Sequence, residues 1–127
     1  MGGSYQRKPN FELQNMESKK SAKVYMEIAD NELSRARGLM FRSKIIPILF
    51  VFEKKGIFPI HSFFVKDFFD AVYLSKEGQV VEIFRRIPPN TPLVVPQKKA
   101  DYLLELPCSI FDKLSIREGN MLCWRGI

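Results

Sequence analysis

Cysteine, histidine and tryptophan are scarce in this 127-residue chain, which holds two, one and one of them. Cys108 and Cys123 fall in separate segments and form no C-x-x-C, which excludes a disulfide framework and a zinc knuckle. With His61 as the only histidine, two-histidine metal motifs, H-E-x-x-H among them, are impossible. Long apolar runs are missing too. The longest, Ile45 to Phe52, is interrupted by Pro47 and is far shorter than the roughly 20 residues a bilayer-spanning helix needs. The start, MGGSYQRKPNFELQ, lacks the apolar run and cleavage site of a secretory signal, and Gln6 stands where a myristoylation motif wants Ser or Thr. These absences predict a cytoplasmic protein without a membrane segment. No phosphate loop, dinucleotide fingerprint or G-x-S-x-G elbow occurs. Nucleotide-dependent and hydrolase-type enzymes are therefore disfavoured, and no cofactor or metal is expected.

What is present reads as one globular domain. Hydrophobic residues make up 46% and charged residues 27%, a balance that can bury a core at this length. Twenty Lys and Arg against fourteen Asp and Glu give a net charge of +6, which permits anionic partners without requiring them. Residues 1–21 are polar and aperiodic, and are expected to form a flexible N-terminal tail before a β-rich domain over 22–127. Val24, Met26 and Ile28 alternate with Tyr25 and Glu27 as in a half-buried strand. Asp30 or Asn31 then caps a two-turn helix that Gly38 stops.

LFVFE (residues 49–53) and HSFFVK (61–66) read as strands, and FDAVYLS and QVVEIFRR read as a hairpin around Gly78. Pro88, Pro89, Pro92 and Pro96 make the next segment an extended surface loop. DYLLEL resumes the strand pattern, CSIFDKL forms a second helix, Gly119 turns the chain and MLCWR ends it as a strand. The expected class is mainly β: an antiparallel, barrel-like sheet of about seven strands with two short helices.

Four segments, taken in order, carry a resemblance. They are Glu27 to Asp30 with Arg35 to Arg42, which contains R-G-L-M; His61 to Lys66; Asp70 to Leu74 with Gly78 to Val81; and Tyr102 to Pro107 with Ile116 to Gly119. Together they resemble the family known as domain of unknown function 192. Val65 stands where that family usually has Met, and Asp67-Phe68-Phe69 replaces a segment that often carries proline. The resemblance implies a small β-rich domain of bacteria and archaea with no established reaction. It marks Gly38, Leu39, Met40, Phe63, Phe64 and Gly119 as signature or structural positions, and Arg37 and Asp70 as signature charges.

Those charges sit among apolar residues, so Arg37 and Asp70 read either as a structural ion pair or as part of a recognition site. A strand over 61–66 would put His61, Phe63 and Val65 on one face and Ser62, Phe64 and Lys66 on the other. The leading expectation is a non-catalytic binding domain whose Arg37, His61, Lys66 and Asp70 surround a small anionic ligand. One alternative is a nucleic-acid module, with a rim of Lys54-Lys55, Arg85-Arg86 and Lys98-Lys99 and stacking by Phe58, Tyr73 or Trp124; a plain solvated surface is its bland counterpart. Another is an enzyme with His61 and Asp70 as acid and base, against a merely packed histidine. Cys108, at a helix start, is either an activated thiol or a buried one. An exposed Phe68 or Phe69 would point to a partner or self-association patch. Catalytic residues, ligand identity and oligomeric state are not legible.

Overall fold

A computed structural model describes residues 7–127. Strand β1 (Phe11–Asn15) is the middle of a three-stranded antiparallel sheet, between β2 (Ser21–Val24) and β8 (Leu122–Gly126). This corrects the expected tail. FELQN escapes a periodicity search because Leu13 and Asn15 are its buried positions, and Asn15 is polar. The Asn15 amide donates to the Leu114 carbonyl at 3.0 Å and to Asn120 Oδ1 at 2.9 Å, so a buried polar side chain fastens the strand. Residues 1–6 of the expected tail lie outside the described residues.

The strand expected around Val24 to Ile28 is two strands. The chain leaves β2 at Tyr25 and enters a second sheet as β3 (Glu27–Ala29). Helix α1 (Glu32–Arg37) follows, with Asn31 and Ser34 forming a reciprocal capping box and Gly38 at its end. Gly38 has φ of 46°, and a Cβ there would lie 3.1 Å from the Phe50 ring, so glycine ends the helix and lets it approach the sheet. Strand β4 (Ile48–Gly56) pairs in parallel with β3 and antiparallel with β7 (Ala100–Leu106). Strand β5 (Phe69–Leu74) lies on the other side of β7, with β6 (Val80–Ile87) at the edge, giving the order β3-β4-β7-β5-β6. Helix α2 (Cys108–Leu114) links β7 to the turn before β8.

The class is mainly β with two short helices, but neither sheet closes into the expected barrel. Outside the ladders, the isolated bridge Gln79↔Met121 joins the start of the β6 hairpin to the β8 side. Both faces of the five-stranded sheet are covered. One carries Leu49, Val72, Leu74, Leu104 and Leu106 against α2 and the three-stranded sheet. The other carries Phe50, Ala71, Tyr73 and Leu103 against Leu39, Val65 and the connecting loops. Central strands such as β5 are therefore buried on both sides.

The segment His61 to Lys66 is a loop with a turn, which corrects the strand expected there and its assignment of faces. Ser62 decides this. Its hydroxyl donates to the Pro88 carbonyl at 2.5 Å and accepts the Thr91 amide at 2.7 Å. Its backbone amide donates to the Thr91 carbonyl, and its carbonyl accepts the amides of Val65 and Asn90. The proline segment thus provides this loop with partners that replace a strand ladder. Phe64 turns it with φ of 61° and stacks on Phe41, itself at φ of 63°.

Candidate functional site

Asp70 is fully buried at the start of β5. Its Oδ1 accepts from Arg85 Nε at 3.1 Å and from the Arg86 backbone amide at 2.6 Å. Phe69 pairs with Ile87 and Ala71 with Phe84, so Arg85 and Arg86 together face Asp70 in a β-bulge. Arg86 adopts φ of 50°, a left-handed conformation uncommon outside glycine, and the carboxylate fixes it by capturing its amide. Arg85 also donates to Asp112 at 2.8 Å and lies 3.9 Å above the Phe111 ring. Asp70 is thus an ionic partner of Arg85, and the Arg37–Asp70 pair read from the sequence is not formed.

The bulge places Arg86 at a cavity of about 400 Å³ lined by Ser43, Lys44, Ile45, Lys66, Asp67, Phe68, Pro107, Cys108 and Ser109. Three cationic side chains, Lys44, Lys66 and Arg86, meet one carboxylate, Asp67. Asp67 Oδ1 accepts the Phe68 amide at 2.8 Å. Cys108 is no activated thiol: burial pushes it up, and the Asp70 carboxylate pushes the same way.

Arg37 and His61 line a different cavity, of about 150 Å³, with Arg35, Leu39, Met40, Phe50, Pro59, Ile60, Val65, Phe69 and Glu105 among its walls. Glu105 is buried on the central strand β7. Burial raises its carboxyl to about 8, only partly offset by the Arg42 guanidinium. Glu105 pairs with Ala71 and Asp70 with Leu106, so successive residues put the two carboxyls on opposite faces of one sheet. The four residues expected to converge are therefore divided: Arg37 and His61 share one cavity, Lys66 lines another, and Asp70 supports the bulge. The arrangement offers no His61–Asp70 acid and base pair.

Sequence reading missed Glu105 and Lys44 and took Arg86 for part of a rim. A signal for Glu105 existed: Leu103, Leu104 and Leu106 bury both faces of their strand, so a carboxyl between them is buried too. The expected rim does not form a stacking surface. Lys55 pairs with Asp101 at 3.2 Å, and Tyr73 is fully buried with its hydroxyl donating to the Phe58 carbonyl at 2.6 Å. Phe58 stacks on Phe52 and Trp124 packs edge-on to Tyr102. Phe68 is 47% exposed beside the larger cavity, and Phe69 is core. Among the described residues, no helix is long and apolar enough to cross a membrane, and no three His, Cys, Asp or Glu cluster as for a metal.

Fold and site define a small two-sheet β protein with a cationic cavity on the α2 side. The chain belongs to the family domain of unknown function 192, described as Uncharacterized ACR, whose model matches residues 13–124. It is 30% identical over 112 residues to the UPF0127 protein PF1050 of Pyrococcus furiosus, covering 87% of this chain and 95% of that one. Two solved structures share the fold. One, described as "a putative transcription regulator" from Sinorhizobium meliloti, has a TM-score of 0.78, 20% identity and 98% coverage of both chains. The other, a protein of unknown function from Novosphingobium aromaticivorans, has a TM-score of 0.76 and 16% identity, covering 98% of this chain and 90% of that one.

Proposed function

We propose that this protein is a non-catalytic binding domain for a small anionic ligand, held between Lys44, Lys66 and Arg86. The ligand class is that expected from the sequence; of the four residues, only Lys66 stays in contact with it, and Asp70 acts from behind. One observation carries the reading. Three cationic side chains line one cavity, none of them salt-bridged among the described residues, and a fully buried carboxylate holds the backbone of one in a left-handed bulge. Strain of this kind costs on the order of 1–3 kcal/mol and persists where the surroundings fix it. An Arg fork with two lysines suits a phosphate or carboxylate group.

The test is thermal unfolding with inorganic phosphate. A ligand at a hundred times its Kd stabilises by about 2.7 kcal/mol, which moves the midpoint of a domain this size by several degrees. Wild type should show that shift, while Arg86→Gly, which suits the positive φ but removes the cation, should lose most of it. An equal shift in both proteins refutes the assignment.

A second reading has its own observation. Ser43, Lys44, Ile45, Pro107 and Ser109 are shared with an open groove of about 800 Å³ that adds Arg7, Lys23 and Arg37, with Tyr25 and Phe41 beside them and Arg42 paired with Glu27. Such a stripe suits a polyanion, and the Sinorhizobium description makes nucleic acid the one to try. Binding to a single-stranded oligonucleotide should weaken steeply as salt rises. Affinity insensitive to salt, or unchanged in Lys23→Ala, rejects it.

A further inference from the structure

The carboxyl of Glu105 does not line the anion cavity and lies on the sheet face opposite Asp70. It is 4% exposed and lies in the floor of the smaller cavity. The influences on it are burial and the Arg42 charge, with no hydrogen-bond donor among them. Arg42 is committed elsewhere: its Nε donates to the Gly38 carbonyl at 2.7 Å, and both terminal nitrogens donate to Glu27, at 3.0 and 2.8 Å. Among the described residues no side-chain hydrogen bond engages it, which leaves its oxygens available to a ligand in the cavity. Held neutral by its surroundings, this carboxyl offers an O–H to whatever enters.

The walls between floor and mouth are apolar: Leu39, Phe50, Val65 and Phe69. At the mouth stand the exposed side chains of Arg37 and His61. Arg37 has no salt bridge among the described residues. His61 Nδ1 accepts the Phe63 amide at 3.1 Å, which selects the tautomer with its N–H at Nε2. The cavity therefore presents donors at both ends, a cation and an imidazole N–H outside and a neutral acid inside. A volume of about 150 Å³ admits a molecule of roughly benzene size.

We propose that this cavity is a second binding site, taking a short-chain oxo acid whose carboxylate meets Arg37 and His61 while its uncharged carbonyl oxygen accepts from Glu105. The site is distinct from the anion cavity and does not depend on it. An ammonium ligand fits less well, because Arg37 and Arg35 flank the mouth and the acid would have to ionise to attract it.

Calorimetric titration with 4-oxopentanoate, pentanoate and pentylamine tests this. The full chain should bind 4-oxopentanoate roughly tenfold or more tightly than pentanoate, which has no carbonyl for the buried donor. Glu105→Gln, whose amide also donates, should retain that preference, with thermal unfolding confirming that it folds. Arg37→Ala, at an exposed position, should weaken both acids together. Equal affinity for the two acids, no binding of either, or an unaffected Arg37→Ala overturns the proposal. Tightest binding of pentylamine, lost in Glu105→Gln, overturns it in favour of a cation site. Arg86→Gly should leave all three affinities unchanged, which separates this outcome from failure of the anion cavity.

Discussion

Asp70 and Glu105 illustrate how two buried carboxyls on one sheet differ through their neighbours alone. Asp70 meets a guanidinium and a backbone amide, both of which donate to its Oδ1. Replacing it with Asn should cost on the order of 2 kcal/mol in chemical denaturation, because Arg85 keeps only Asp112 and the Arg86 amide loses a charged acceptor. Glu105 faces apolar walls, and its carboxyl lies at about 8 against an ordinary 4.5. The folded chain thus holds this proton more tightly than the unfolded chain. The Glu105 contribution to stability should be most favourable below the ordinary carboxylate range, fall as pH rises from about 5 to 8, and level off above that. Unfolding midpoints of Glu105→Gln across this range should lack that slope, and at pH 7 the variant should be more stable by roughly 1–3 kcal/mol. A parallel slope in the variant would place the titrating group elsewhere. Cys108 follows the same logic: an alkylating reagent at neutral pH should modify the exposed Cys123 first, since burial and Asp70 keep the Cys108 thiol protonated.

Among the elements, α1 was the most legible, because its signals are local. Asn31, Ser34 and Gly38 act within one or two turns, and each takes the part its residue type suits. Asn31→Ala removes the capping box and should cost about 1 kcal/mol by thermal denaturation. The loop over 61–66 was illegible for the opposite reason. Its aromatic and branched residues have strand propensity, but the partners that define it are the Pro88 carbonyl and Thr91, nearly thirty residues away. The β6 bulge has the same origin. Arg85 and Arg86 stand in an uninterrupted strand pattern, and only the Asp70 carboxylate opposite them makes two residues face one.

At the scale of the whole molecule, the sheets depend on a strand that composition assigned to a tail. Beginning the chain at residue 17 would delete β1 and leave β2 and β8 with no strand between them. Such a truncation should lose the cooperative unfolding that Trp124 fluorescence reports, since Trp124 sits in β8 opposite Leu13. Retention of a sharp transition would mean that the five-stranded sheet and α2 hold β8 unaided. The same scale explains why the expected polar site dissolved. His61, Lys66 and Asp70 lie close in sequence, but a sheet covered on both faces sorts its flanking residues to one side or the other.

By itself the sequence determined the strand-rich class, both helices with their termini, the hairpin, the extended proline segment and membership of the family. Each of these is encoded in periodicity, in backbone preference or in an ordered set of short segments, all of which act over a few residues. The tertiary structure alone decided which carboxyl meets a cation and which stays protonated, and which basic side chains share a cavity. Charge state and site composition depend on desolvation and on contacts between distant strands, and neither exists until the two sheets have closed over their cores.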